Sequence, residues 1–374
     1  MKNFKLFTGT QILLTLIAGI LISCGGDDPI DDGAFLDNDG EVINDDESGW
    51  SVPVANVLAG QIKDGIPSVD NPRFVSLADV TTIPDEELVI GYKKGDDVRA
   101  YPHQILDWHE IVNDDIGGDK LALTYCPLTG TAIGWNRELN GQETTFGVSG
   151  LLFNTNLMPY DRQTSSVWSQ MLTAGVNGDL RDNQAEILQV IEMPWKDWKE
   201  IYPNSSVLSR DTGFERTYGR YPYGSYRQTN SLLFPVITRD DRLFGKERVL
   251  GVIINDLAKV YRFTIMEQDG SLKVIKDTFQ DQELLVVGNN RFMNVFQIGG
   301  VSSAQDFTSV MDREFIAVQG QLPIAFEDNT GNKYDVFGVV VEGPESGDRL
   351  GILEAYMGFF FSFGTFYPNP EILE

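Results

Sequence analysis

Cysteine and histidine are both scarce in this chain of 374 residues, which contains two of each. Two cysteines allow at most one disulfide, so a disulfide-rich secreted scaffold is excluded. The sequence also lacks the G-x-S-x-G nucleophile elbow, the H-E-x-x-H metalloprotease motif, the Walker phosphate loop and a dinucleotide-binding fingerprint after a strand. The sequence therefore gives no indication of any of the enzyme classes that these four motifs define.

Basic residues are also few. The chain has 29 Lys and Arg against 55 Asp and Glu, a formal net charge of −26. A surface of this charge repels the phosphate backbone, so no nucleic-acid partner is expected. About 320 residues remain after the N-terminal segments described next, which is enough for a sizeable core in more than one compact unit.

The N-terminus predicts a lipoprotein. Lys2 and Lys5 precede an apolar run that ends at Ile22, which is too short for a spanning helix. The sequence Leu-Ile-Ser-Cys at 21–24 is typical of a lipobox, so residues 1–23 are predicted to be a signal peptide and Cys24 to be acylated. The alternative is an ordinary signal peptide with Cys24 left free. The lipoprotein interpretation predicts anchoring in the lipid of the outer membrane, facing either the periplasm or the cell surface.

Residues 24–50 are predicted to be an acidic tether. Residues 25–50 include ten Asp or Glu and no Lys or Arg. Such a segment buries too little apolar surface to fold, and we expect it to be extended and solvated.

Both histidines and the second cysteine fall within residues 100–137. After Pro102, apolar and aromatic residues recur at helical spacing through His109 and Val112, which predicts a helix that Gly117 and Gly118 end. Residues 120–125 alternate as a strand does. Cys126 follows that strand and, with Cys24 acylated, has no disulfide partner.

His109 and Cys126 are the predicted catalytic pair. A thiol near an imidazole can become a thiolate, which is a nucleophile or a soft metal ligand. Imidazole and thiolate together suit copper or zinc, so the two residues are also a candidate metal site. The alternative is structural, with His109 in the core and Cys126 as a small buried apolar residue. His103 lies about 240° from His109 around the helix and is not expected to share an ion with it.

The motif A-Y-P-x-x-I-L-x-W-H-E-I-V-N-D followed by T-Y-C-P-L resembles the bacterial family known as domain of unknown function 3179. Further matching segments lie at 65–75, 146–152, 160–168 and 208–213. The resemblance implies a family without an established activity. Many relatives have Cys-Pro-x-Cys where this chain has Thr129, so a two-thiol redox role is not expected. The motif residues Asp161, Arg162 and Trp168, with Tyr125, are predicted to bind substrate; the alternative is a structural Asp161–Arg162 ion pair.

The remaining patterns predict an α+β fold that is mostly antiparallel β. Hairpins are predicted at 87–101 and at 133–148, the second around Asn140-Gly141. Residues 151–161 are predicted to be a loop, and short helices are predicted at 166–172 and 194–201.

Four matches between earlier and later segments occur in the same order along the chain, which predicts an internal duplication. Gly91 and Tyr101 match Gly251 and Tyr261, both at an offset of 160. The strand at 120–125 matches 283–288, residues 161–168 match 327–334, and residues 186–204 match 349–369. We therefore predict two similar lobes: a first repeat at 51–212 with the candidate site and a degenerate second repeat at 239–374, which has no histidine and no cysteine.

A connector at 213–238 joins the predicted repeats and carries four tyrosines between 218 and 226. These rings could stack on a ligand or pack across the seam between the lobes. Two functions remain open at this stage. The first is a metal-binding or thiol-dependent site at His109 and Cys126. The second is a non-enzymatic envelope protein that binds partners through the connector.

Overall fold

Strands dominate the computed structural model, which describes residues 35–36, 42–43, 49–300 and 308–374. The predicted signal peptide and Cys24 lie outside these residues. Within the predicted tether, Phe35–Leu36 pairs antiparallel with Val42–Ile43. The residues described from Phe35 onward pack as one compact unit. None of the helices in the described ranges has the length and apolar character of a membrane span.

In the part of the chain that the structure describes, eighteen strands and two α-helices precede the connector. The strands are β1 (Phe35–Leu36), β2 (Val42–Ile43), β3 (Val57–Ala59), β4 (Phe74–Ser76), β5 (Leu88–Lys94), β6 (Asp97–Pro102), β7 (Ile111–Ile116), β8 (Asp119–Cys126), β9 (Thr131–Asn136), β10 (Glu138–Leu139), β11 (Gln142–Glu143), β12 (Phe146–Phe153), β13 (Asn156–Asp161), β14 (Val167–Ser169), β15 (Ala174–Asn177), β16 (Ile187–Leu188), β17 (Ile191–Pro194) and β18 (Ser206–Leu208). The helices are α1 (His103–His109) and α2 (Trp195–Ile201).

Eleven strands and one helix follow the connector in the described residues. The strands are β19 (Arg248–Ile254), β20 (Leu257–Arg262), β21 (Lys273–Phe279), β22 (Gln282–Gly288), β23 (Met293–Gly299), β24 (Phe315–Ala317), β25 (Ile324–Asp328), β26 (Lys333–Asp335), β27 (Val340–Glu342), β28 (Glu354–Phe359) and β29 (Glu371–Leu373). The helix is α3 (Phe360–Phe366). Below, "first half" means residues 49–212 and "second half" means residues 239–374.

The predicted fold class is confirmed: the sheets are mostly antiparallel. The β5–β6 hairpin and helix α2 were also predicted correctly. Parallel pairing among the named strands is confined to β18 with β6 and β20 with β29.

Helix α1 is shorter than predicted. It ends at His109, and residues 111–116 form strand β7, which Gly117 and Gly118 join to β8 in a hairpin. The prediction was wrong because Ile111, Val112 and Ile116 continue the helical spacing, although their branched side chains favour a strand.

Residues 151–161, predicted to be a loop, belong to the hairpin of β12 and β13. The turn residues Asn154 and Thr155 both have positive φ, 51° and 66°. The hairpin was missed because both its strands are buried almost throughout, so polar and apolar residues do not alternate along them.

Two further predictions need correction. Asn140-Gly141 joins only the two-residue strands β10 and β11, because β9 and β12 belong to different sheets. Residues 166–172 contain strand β14 instead of a helix; the branched Val167 and the aromatic Trp168 favour that conformation.

The two halves place their elements in the same order. Each has an antiparallel hairpin, a three-stranded meander, further antiparallel strands, then a strand, a seven-residue helix and a strand that pairs parallel with the hairpin. The first hairpin is β5–β6 in one half and β19–β20 in the other. Strand β17 lies beside β5 as β28 lies beside β19.

A glycine allows each helix to lie on its hairpin. An ideal Cβ at Gly91 would stand 1.9 Å from Trp198 Cζ3, and one at Gly251 would stand 2.0 Å from Phe363 Cε1. Both aromatic side chains are fully buried. Only glycine permits this approach of ring to strand.

The cores combine residues from both halves. Val89, Trp198 and Tyr202 of the first half pack with Phe296 and Phe326 of the second half in one cluster. In another cluster, Trp135, Phe146 and Trp168 pack with Val249 and Phe363. Each of these two hydrophobic cores is therefore built from residues of both halves.

Candidate active site

Glu110 ends helix α1 and turns the chain into strand β7. Its backbone has φ 57° and ψ −31°, although glycine or asparagine normally takes positive φ at a helix end. Its carbonyl accepts a hydrogen bond from the N–H of Tyr125 at 2.6 Å. Such backbone strain costs on the order of 1–3 kcal/mol and is concentrated at functional sites. The turn brings Glu110 next to the end of β8, where Cys126 lies.

Glu110 and Cys126 line the same cavity, which has a volume of about 170 Å³. Glu110 is 6% exposed and Cys126 is 1% exposed. Tyr223 of the connector also lines the cavity, and its hydroxyl donates to Glu110 Oε1 over a long 3.5 Å. The other lining residues are Gly60, Gln61, Ile66, Leu128, Val148, Gly150, Leu151, Leu152, Leu157 and Phe234. A carboxyl and a thiol thus share a mostly apolar chamber, called the Glu110–Cys126 cavity below.

Both reactive groups of this cavity are mostly protonated at neutral pH. Burial, together with the nearby Glu110 carboxyl, raises the pKa of the Cys126 thiol to about 11. Thr129 and the backbone of Leu157 oppose this increase by hydrogen bonding to the sulfur. Burial likewise raises the pKa of Glu110 to about 8. An uncharged ligand fits this environment better than a charged one, because burying an unpaired charge is costly.

His109 is fully engaged elsewhere. Its Nδ1 lies 2.7 Å from the carbonyl oxygen of Pro67, and its Nε2 lies 2.6 Å from the hydroxyl of Tyr218. A carbonyl only accepts, so Nδ1 carries the proton and Nε2 accepts from Tyr218. Burial lowers the pKa of His109, which favours this neutral form. No hydrogen bond joins His109 to Cys126, whose sulfur lies 3.8 Å from the carbonyl oxygen of Thr155.

Potential metal ligands of the described residues are not clustered around His109 and Cys126. Within the described residues, no three His, Cys, Asp or Glu side chains are arranged to hold an ion. Cys126 has no disulfide there either. A shared copper or zinc site at His109 and Cys126 remains a prediction.

Tyr125 faces away from Cys126 because successive strand residues point to opposite faces of a sheet. Its hydroxyl lies 3.2 Å from His103 Nδ1 and accepts a hydrogen bond from Arg227 at 2.8 Å. His103 Nε2 in turn lies 3.1 Å from Glu192. These groups form a buried polar network behind the strand that carries the thiol.

Asp161, Arg162 and Trp168 do not line the Glu110–Cys126 cavity. Asp161 is fully buried and accepts hydrogen bonds from Thr164 and from Trp168 Nε1. Arg162 pairs with Asp70 at 3.1 Å instead of with Asp161, so that alternative was wrong about its partner. The contacts of Asp161 and Trp168 hold the turn between β13 and β14.

All four connector tyrosines bind the protein itself through their hydroxyl groups. Tyr221 donates to Pro127 O at 3.0 Å and Tyr226 donates to Leu128 O at 2.9 Å. Tyr218 binds His109 and Tyr223 binds Glu110, as described above. The connector therefore lies across the turn that follows Cys126, which favours packing over an open stacking platform for a ligand.

Glu110 was not among the site residues predicted from the sequence. The side chains of adjacent helix residues diverge, so in a continued helix the residue after His109 would point away from it. The chain bends at Glu110 itself. The motif W-H-E-I indicates the end of the helix, because a charged residue there separates a segment of helical spacing from a segment with β-branched residues.

Comparison with known proteins gives one match. The chain matches no curated protein and no solved structure. Residues 63–370 match the family described as "Protein of unknown function (DUF3179)". Because this match covers most of the chain, the protein belongs to the DUF3179 family.

Proposed function

We propose that this protein is a lipid-anchored envelope protein that carries out thiol-dependent chemistry on a small, uncharged, mostly apolar molecule in the Glu110–Cys126 cavity. One observation carries the proposal: a strained, buried carboxyl and a buried thiol line the same chamber. The lipid anchor rests on the lipobox at Cys24 and the acidic segment that follows it.

Glu110 is the proposed base for Cys126. A pKa of about 8 leaves part of its population ionised near neutral pH, as a general base requires. The thiol has a higher pKa, of about 11, so its proton passes to Glu110 as sulfur adds to a carbonyl carbon of the ligand and the π electron pair of that carbonyl moves to its oxygen. The hydrogen bonds from Thr129 and Leu157 stabilise the negative charge on sulfur during this step. Glu110, once protonated, gives the proton to this oxygen, and the product is the neutral thiol adduct.

His109 has a positioning role in this proposal. Its ring ties Pro67 to Tyr218 and so fixes the connector beside the cavity. For His109 to ligate copper or zinc with Cys126, it would have to release one of these two partners. The structural contacts therefore favour Glu110 as the group that acts on the thiol.

An internal duplication accounts best for the repeated order of elements. The recurring glycine and aromatic pairs support it, as do the turns at Asp161 and at Asp328, which lies one residue after Glu327, the residue that aligns with Asp161. Each of these buried carboxylates accepts from a threonine in its own turn, Thr164 or Thr330, and from a following aromatic residue. Asn289 occupies the position in the second repeat that Cys126 occupies in the first. The second repeat is proposed to be structural.

Alkylation of Cys126 by iodoacetamide, quantified by peptide mass spectrometry between pH 6 and 10, tests the base. In the wild type the rate should rise with an inflection near pH 8. Glu110→Gln should abolish the inflection and lower the rate at pH 8 by at least about tenfold. Glu354→Gln is a matched control, because it removes a half-buried carboxyl whose pKa is also raised to about 8.

The control should behave like the wild type. An unchanged profile for Glu110→Gln would overturn the proposal. Loss of the inflection in His109→Gln, with the inflection kept in Glu110→Gln, would transfer the role to the imidazole.

A further inference from the structure

A second cavity, of about 210 Å³, lies in the first half between the edge strand β4 and strands β6 and β18. It shares no lining residue with the Glu110–Cys126 cavity. Its apolar wall includes Val80, Ile83, Ile105 and Leu208. Its polar lining comprises Asp79, Thr81, Thr82, Gln104, Ser209 and Arg210.

Gln104 lines this cavity and is 4% exposed. Its Oε1 accepts a hydrogen bond from Arg210. A guanidinium can only donate, so the amide oxygen must face Arg210 and the orientation of the amide is fixed. The amide nitrogen Nε2 is then left buried without a hydrogen-bond partner. A buried donor without a partner is destabilising, and an acceptor on a ligand would satisfy it.

The guanidinium of Arg210 also lines this cavity and has more N–H groups than its protein partners use. Its polar contacts among the described residues are Gln104 and, at 3.4 Å, the carbonyl oxygen of Thr82. None of these partners is a carboxylate, although acids outnumber bases almost two to one in the chain. Arg73, which directly precedes the neighbouring strand β4, is by contrast paired with Asp211.

We propose that this cavity binds a small monocarboxylic acid with an apolar tail. The carboxylate accepts from Arg210 and from Gln104 Nε2, and the tail packs against Val80, Ile83 and Leu208. A guanidinium and an amide together supply the donor geometry that a carboxylate prefers. Asp79 also lines the cavity and repels a second negative charge, so a dicarboxylate is disfavoured.

The site also gives a role to residues that the Glu110–Cys126 cavity does not use. Leu208, Ser209 and Arg210 open the L-S-R-D-T-G segment, which belongs to the family motifs. Val75, which closes another of these motifs, lines the same cavity.

Isothermal titration of the full mature protein with 4-methylpentanoate tests the proposal, with 4-methylpentanamide as the uncharged analogue. The acid should bind with one-to-one stoichiometry and the amide at least about tenfold more weakly. Arg210→Met should weaken acid binding at least about tenfold, and Gln104→Met by roughly threefold to tenfold, since a hydrogen bond to a charged group is lost in each case.

Arg73→Met is the matched control, because it removes an exposed arginine that directly precedes the adjacent strand β4 and should leave binding unchanged. Arg210→Lys should restore part of the affinity if charge matters. Thermal melts of each variant separate lost binding from lost folding. Equal affinity for acid and amide, no binding to the wild type, or an equal loss in Arg73→Met would each overturn the proposal.

Discussion

Tyr367 and Met171 lie in opposite halves of the chain, and the hydroxyl of Tyr367 donates a hydrogen bond to the carbonyl oxygen of Met171 at 2.6 Å. Tyr202, at the equivalent position after helix α2, donates to Asp335 of the second half at 3.3 Å. Helices α2 and α3 therefore each end on a tyrosine that hydrogen-bonds to the opposite half. Together with the cores that combine residues of both halves, these contacts hold the two halves in one packed interior.

Neither half should fold alone. We expect residues 1–213 and residues 214–374, expressed separately, to lack a cooperative thermal transition, because each would expose the core surface that its counterpart covers. Co-expression should yield a complex that purifies together and melts cooperatively. Circular dichroism during heating measures the melting of the fragments and of the complex. A cooperative melt of either fragment by itself would contradict the conclusion that each core needs residues of both halves.

Gly251→Ala should be strongly destabilising, as should Gly91→Ala. In each case the added methyl group overlaps a buried ring, and the ring has no space into which it can retreat. The expected loss in the free energy of unfolding is at least about 2–3 kcal/mol. Gly49→Ala is the control, because its Cβ would meet Asn177 Nδ2 at an ordinary 3.4 Å. Urea unfolding measures the free energy of unfolding of all three variants. If the halves pack alike, Gly91→Ala and Gly251→Ala should lose similar amounts of stability, whereas a mild effect of Gly251→Ala alone would count against that similarity.

Lys246 should hold the connector in place. Its ammonium group donates to the carbonyl oxygens of Tyr226, Thr229 and Ser231 at 2.6–2.7 Å. Lys246→Met leaves these carbonyls without their charged donor, and the connector should open more often. We expect limited proteolysis within residues 213–238 to become at least about tenfold faster and alkylation of Cys126 to increase with it.

Lys199→Met serves as the control for this change, since Lys199 pairs with the exposed Asp85. Unchanged proteolysis in Lys246→Met would show that the tyrosines alone retain the connector.

The fold class was predictable from the sequence because segments rich in branched and aromatic residues recur between turn residues. The β5–β6 hairpin is of this kind, with a glycine in its turn, although neither of its strands alternates between buried and exposed residues. Strands β12 and β13 contain Asn, Gly and Pro among their apolar residues and gave no such signal, so residues 151–161 were mistaken for a loop. The boundary of α1 was missed because helical spacing continues through Val112, while the backbone at Glu110 already leaves the helix.

The candidate site was predictable in part. The scarcity of thiols singled out Cys126, and the cavity around it is present. The partner was harder to predict, because His109 and Glu110 are neighbours in sequence and one backbone angle decides which of them faces the thiol. The contribution of Tyr223 was also beyond prediction, since it comes from a loop about a hundred residues further along the chain.

Glu110 should make stability depend on pH. Its pKa is raised from 4.5 to about 8 in the folded protein. Below pH 4.5 both states hold the proton and the group has no effect. Between pH 4.5 and 8 the unfolded state ionises while the folded state stays protonated, so stability falls as pH rises, and the fall ends above about pH 8. Each unit of pKa difference corresponds to about 1.4 kcal/mol, which puts the whole effect on the order of a few kcal/mol.

Glu110→Gln removes this contribution, so its stability relative to the wild type should increase between pH 5 and pH 8. Urea unfolding at pH 5, 6.5 and 8 measures the difference. Glu143→Gln is the control: Glu143 is exposed, and hydrogen bonds from Lys120 and Arg137 lower its pKa, so its contribution is lost only below about pH 4.5 and stays constant across this range. If the difference between Glu110→Gln and the wild type were also constant from pH 5 to 8, Glu110 would already be ionised at neutral pH. Cys126 would then stand beside a permanent negative charge, and the uncharged chamber proposed for the substrate would be wrong.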